Sequence, residues 1–125
     1  MRRDMDLIRQ IAFAVEAAGD GIDSEDIRIA GYSDAQIGYH CELMDESGLI
    51  DTISTQTLSS DFATFQIKRL TSKGHDFVDA ARNDTLWNKA KTTIAATVGG
   101  VTIDVMIRYL KSQALAALGM ETKEL

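Results

Sequence analysis

Proline does not occur in this 125-residue chain, so segment boundaries must be read from glycines and helix-capping side chains. There is a single cysteine, Cys41, which excludes an internal disulfide framework and suits a reducing compartment. Long apolar runs are also missing. The most apolar stretch, residues 94–107, is interrupted by Gly99, Gly100 and Asp104, which excludes a membrane span. The first residues carry Asp4 and Asp6 where a signal peptide needs an apolar run, so a cytoplasmic location and no membrane partner are expected. Basic residues are scarce in the first half. Residues 1–60 hold 4 Lys/Arg against 12 Asp/Glu, a balance of −8, whereas residues 61–125 hold 9 against 7, a balance of +2.

What is present suits one small domain. A hydrophobic content of 45% over 125 residues can bury a core, and 26% charged residues do not point to disorder. Residues 4–18 place Met5, Ile8, Ile11, Ala12 and Val15 at helical spacing and stop at Gly19-Asp20-Gly21. In residues 22–32, Ile27 and Ile29 alternate with Asp26 and Arg28, which favours a short strand over a weak helical turn. Ser33 and Gln36 have capping-box spacing and open a second helix with Ile37, His40, Cys41 and Met44 inward; Gly48 ends it. Residues 49–53 and 62–69 read as two strands of a hairpin, joined by a Ser/Thr-rich loop over residues 55–61. Thr71 caps a third helix with Phe77, Val78, Ala81 and His75 inward, and Gly74 near its start signals close backbone packing. Asn83 or Asp84 opens a fourth helix carrying Trp87, Ala90, Ile94 and Val98, broken at Gly99-Gly100. Thr102 caps a fifth, and residues 119–125 read as a frayed tail.

The expected fold class is therefore mainly α with a small β-hairpin (α+β): a winged-helix-like domain plus two C-terminal helices. Its expected division is residues 1–82 for the winged-helix-like part, 83–119 for the helical pair and 120–125 for the tail. The helix that normally precedes the Ser33 helix is compressed or missing.

Gly48-Leu49-Ile50 and Arg69-Leu70-Thr71-Ser72-Lys73-Gly74-His75 resemble the matching passages of winged-helix regulators. A broader pattern is similar to a family of uncharacterised proteins common in phages and prophages. It comprises Arg3-Asp4-Met5-Asp6-Leu7-Ile8-Arg9, Gly31-Tyr32-Ser33, Tyr39-His40, Gly48-Leu49-Ile50, Leu70-Thr71, Gly74-His75-Asp76-Phe77 and Asp84-Thr85-Leu86-Trp87. This resemblance covers nearly the whole chain and implies a mobile-element origin and a winged-helix-like fold. It implies no activity.

No constellation for chemistry stands out. His40 and His75 have Cys41, Glu42 and Asp76 beside them, but neighbours on a helix point in different directions and do not chelate. His-Glu-x-x-His, Cys-x-x-Cys and glycine-rich phosphate loops are absent. Catalytic residues, cofactor and metal are all read as none, and both histidines as half-buried structural groups.

Three surfaces remain. The Ser33 helix would turn Ala35, Gly38, Tyr39, Glu42, Asp45 and Glu46 outward, and residues 33–47 and 51–66 contain no Lys or Arg. Carboxylates facing phosphates repel, so Tyr39, Glu42, Asp45 and Glu46 are expected to meet a protein partner. Arg3, Lys68, Arg69 and Lys73 would form a modest nucleic-acid patch if the wing root and the first helix come together. Trp87, Ile94, Ile103, Met106, Ile107, Leu110 and Leu118 form an apolar seam that either enlarges one core or builds a homodimer. The expected function is a non-enzymatic regulatory binding module, working by protein contact or an atypical DNA contact. Two alternatives stay open: a small acidic inhibitor of a host nucleic-acid-binding machine, and a conventional DNA-binding transcriptional regulator.

Overall fold

A computed structural model of the chain describes residues 1–54, 61–98 and 101–119. Among these residues it is mainly helical, with five α-helices and one small antiparallel sheet. The loop expected at residues 55–61 (save Asp61), the break at Gly99-Gly100, the side chain of Val98 and the tail beyond Gly119 lie outside the described residues. Two compact units, Met1–Asp76 and Phe77–Leu125, divide the chain within its third helix.

In the first unit, α1 (Met5–Ala18) starts at Asp4, whose carboxylate accepts from the backbone N–H groups of Asp6 and Leu7 at 2.9 and 3.2 Å. One face of α1 buries Met5, Leu7, Ile8, Ile11, Ala12 and Val15, matching the periodicity. The segment expected as a strand over residues 22–32 is different. Only Ile22–Asp23 forms a strand, β1, and it is followed by a 3-10 turn at Ser24–Asp26. The physical reason is a side chain: the buried Ser24 hydroxyl accepts from the Phe65 N–H at 3.0 Å, so the ladder ends there.

Helix α2 (Asp34–Glu46) opens on the capping box that Ser33 and Gln36 predict, with Ser33 N–H donating to Gln36 Oε1 at 2.8 Å and Gln36 N–H to Ser33 Oγ at 3.1 Å. Ile37, His40, Cys41 and Met44 are inward as expected. Gly48 then takes φ 79°, a left-handed stop. Strands β2 (Ile50–Ser54) and β3 (Phe65–Leu70) pair, but β1 also pairs with β3, making a three-stranded sheet of order β1-β3-β2 rather than a lone hairpin. A register shift between Asp51 and Thr52 leaves Lys68 without an opposite residue on β2, the signature of a bulge. The bulge breaks the in/out alternation, so Lys68 and Arg69 both face solvent between the buried Ile67 and Leu70.

Thr71 ties the sheet to the third helix, α3 (Ser72–Ala81). Its hydroxyl accepts from Gly74 N–H at 3.0 Å and donates to the Gly48 carbonyl, while its own N–H donates to the Leu49 carbonyl at 3.0 Å. Gly74 is where the backbone approach is closest: a Cβ there would sit 2.1 Å from Leu49 O. His75, expected inward, is exposed. Two residues later on the same helix, Phe77 takes the buried position.

The second unit holds the end of α3, α4 (Asp84–Val98) and α5 (Ile103–Ala117). Asn83, rather than Asp84, is the cap of α4, accepting from Leu86 N–H at 2.9 Å. Thr102 caps α5, accepting from Val105 N–H at 3.2 Å. α4 and α5 pack on each other. The rings of Phe77 and Trp87 meet edge to face, 5.8 Å apart at 84°.

Candidate functional site

The outer face of α2 is the first candidate. Glu42, Asp45 and Glu46 are exposed and Tyr39 is half-buried, with its ring edge-on to His40 at 5.6 Å. Asp45 sits toward the sheet, where its carboxylate accepts from the Thr52 hydroxyl at 3.0 Å. Ala35, Tyr39, Glu42 and Glu46 therefore share the outward stripe, at the i, i+4, i+7 and i+11 positions of one helix face. Gly38, expected on that stripe, is buried: a Cβ there would lie 2.2 Å from Ala63 O. A glycine at this position lets the strand-side backbone touch the helix, a contact that spacing along α2 does not reveal.

The four basic residues of the second surface are all exposed, and two of them, Arg69 and Lys73, are held by carboxylate or carbonyl oxygens. Arg69 pairs with Asp51 across the sheet at 3.1 Å and donates to its neighbour's carbonyl at Leu70. Lys73 donates to the Ser47 carbonyl at the end of α2, at 3.1 Å. Lys68 lines a shallow depression together with Asp20, Asp23 and Asp26. Arg3 lies before α1, and no contact joins it to the other three among those described. Phosphate would meet acids beside two of these four cations.

His40 and Cys41 are the buried chemistry-bearing groups. His40 is 1% exposed; Asp4 N–H donates to its Nε2 at 2.9 Å, and its Nδ1 lies 2.7 Å from Gln36 O. The ring thus carries its proton on Nδ1 and spends both nitrogens on backbone. Asp4 also accepts from the Tyr32 hydroxyl at 2.7 Å. That hydrogen bond, with burial and the nearby charges of Asp4 and Asp6, pushes the Tyr32 phenol up to about 12. Burial pushes the Cys41 thiol up to about 12, so it is protonated and a poor nucleophile near neutrality. Among the described residues no group of three His, Cys, Asp or Glu could hold a metal ion. No helix of the described residues is long and apolar enough to cross a membrane.

A family model described as "Hypothetical protein (DUF2513)" matches residues 2–101. The chain belongs to that family. A relative from Haemophilus influenzae, described as an uncharacterized protein, is 32% identical over 107 residues, covering 85% of this chain and 89% of its own length. No solved structure matches. In this DUF2513 member, the motifs quoted for the resemblance meet in three places. Asp4, Tyr32 and His40 form the network at the start of α1. Gly48, Leu49, Thr71 and Gly74 form the sheet-to-helix junction. Phe77 and Trp87 form the aromatic pair of the second unit. Each of these clusters explains its residues by packing and hydrogen bonds within the fold.

The matched residues end just before α5. Of the expected seam, Trp87, Ile94, Ile103, Met106, Ile107 and Leu110 are buried within the single chain, while Leu118 is 74% exposed. Burial of six of the seven needs no second copy.

Proposed function

We propose that this DUF2513 protein is a non-enzymatic, winged-helix-like binding module of phage or prophage type, acting in the cytoplasm as a regulator by contact with a basic protein surface. The winged-helix reading is supported by the succession α1, β1, 3-10 turn, α2, β2, β3 and by the antiparallel order β1-β3-β2. In that arrangement the 3-10 turn stands where a full helix usually precedes the groove-reading one, and α2 takes the groove-reading position. The observation that carries the functional reading is the chemistry of α2's outward stripe: Tyr39, Glu42 and Glu46, with Asp45 at its edge and no Lys or Arg over residues 33–47. Such a stripe repels a phosphate backbone and attracts lysine and arginine side chains. The carboxylates beside two cations, Asp51 at Arg69 and Asp20, Asp23 and Asp26 near Lys68, support the same choice.

Capture from a host lysate on the immobilised protein tests this. The double variant Glu42→Lys/Glu46→Lys, shown by circular dichroism to be folded, is expected to lose about tenfold or more of the captured partner. Equal capture by variant and wild type would contradict the acidic face as the contact.

A further inference from the structure

His40 is buried with both ring nitrogens in use: Nδ1 donates to the Gln36 carbonyl and Nε2 accepts from Asp4 N–H. A second proton has one place to go, Nε2, and a backbone donor already faces it there. What that donor holds is small. Met1, Arg2 and Arg3, before Asp4, are exposed, whereas Leu7 and Ile8, just after it, are fully buried and anchor α1. Loss of the Asp4 bond therefore opens residues 1–4 and stops at the first turn of the helix. The groups around the ring offer the new proton no ready acceptor. Asp4 Oδ1 takes the N–H groups of Asp6 and Leu7, and Oδ2 takes the Tyr32 hydroxyl. The half-buried Asp6 carboxylate acts on that same hydroxyl. On α2 itself, Tyr39 meets the imidazole edge to face and the Cys41 thiol is protonated. Glu25 and Asp26 on the 3-10 turn, Asp51 on β2, and Lys68 and Arg69 on β3 are exposed, and salt screens them from the ring.

We propose that His40 is a pH-sensitive latch: the neutral ring holds the N-terminal arm, residues 1–4, against α2, and proton uptake at Nε2 lets the arm go. The proposal does not depend on the acidic-face reading above. Its sign follows from the hydrogen bond. Docking needs the Nε2 lone pair, while the ring of the released form is free to take a proton, as imidazoles in water do near pH 6.5. Docking is thus fully supported above that pH and weakens as pH falls below it. With proton uptake confined to the released form, the ratio of released to docked arm rises about tenfold from pH 7.5 to 5.5. Carboxylates ordinarily titrate at lower pH, outside this window.

Amide hydrogen exchange of the full chain, followed by NMR from pH 7.5 to 5.5 and corrected for intrinsic rates, tests the latch. Protection of the Asp4 amide is expected to fall about tenfold, while that of Ile11, in the middle of α1, stays constant. His40→Gln keeps an acceptor that does not titrate, so its Asp4 protection is expected to be flat across the window. Tyr32→Phe keeps the latch and loses one tie to Asp4, so protection is expected to be lower at every pH with the same tenfold fall. Constant Asp4 protection in the wild type would overturn the proposal. So would an equal fall in His40→Gln, which would assign the pH dependence to another group such as the exposed His75. A ring that gains its proton while Asp4 stays protected would also overturn it, by showing that docking survives the charge.

Discussion

Gly74→Ala is expected to destabilise the protein by about 3 kcal/mol or more, the range of an overpacked core position with no route of relief. The added Cβ would stand 2.1 Å from Leu49 O, 3.1 Å from Leu49 C and 3.2 Å from a Leu70 methyl. A flexible side chain can move away; a carbonyl that accepts from Thr71 N–H cannot, because that bond holds the strand end to the helix start. Relief therefore has to come from moving α3, which breaks the Thr71 cap on Gly74. Gly48→Ala is the control. Nothing lies within 4 Å of its Cβ position, so only its φ of +79° is strained, worth about 1–2 kcal/mol. Urea denaturation followed by circular dichroism measures both. Equal midpoints for Gly74→Ala and wild type would show that the close approach is not part of the native packing.

His40→Leu is expected to cost about 2–4 kcal/mol, because it strands a backbone donor rather than merely deleting a contact. Asp4 N–H, whose acceptor is the imidazole Nε2, would face a leucine instead of a lone pair. The same residue caps α1 through its carboxylate and receives the Tyr32 hydroxyl, so the loss extends to the entry of the helix. Asp4→Ala should cost about 1–2 kcal/mol as the loss of a cap, and the double variant less than the two added, since both act on one network. Additive costs in denaturant melts would mean the groups act independently. The network has an alkaline signature as well. The Tyr32 phenol is raised from 10.0 to about 12, so its stabilisation is complete below pH 10 and is lost as pH rises from there through 12. Tyr32→Phe should remove that component of the alkaline loss.

The helix starts were legible because capping is local. Ser33 with Gln36, Thr71 and Thr102 meet backbone donors within three residues, so spacing alone locates them. The strands were less legible. Ile27 and Ile29 alternate with polar neighbours as a strand would, yet no partner backbone is left beyond Ser24, whose hydroxyl reaches Phe65, 41 residues away. The bulge at Lys68 follows from register with Asp51 and Thr52 and has no mark in the residues themselves. Gly38 misled for a related reason: its position on the helix wheel is nearly outward, but the Ala63 carbonyl comes to it from outside the helix. The acidic stripe was readable because charge on one helix face depends only on sequence. The partner of His40 was not, because Asp4 lies 36 residues earlier in the chain.

Titration of labelled duplex DNA with the full chain at low and then moderate salt, followed by fluorescence anisotropy, weighs the acidic helix against the scattered cations in one experiment. No salt-sensitive rise in anisotropy is expected, and replacing Lys68, Arg69 and Lys73 with glutamate should leave the curve unchanged. Binding that weakens steeply with salt and vanishes in the triple variant would mean those cations converge on phosphates after all, and that α2 does not face its partner with carboxylates.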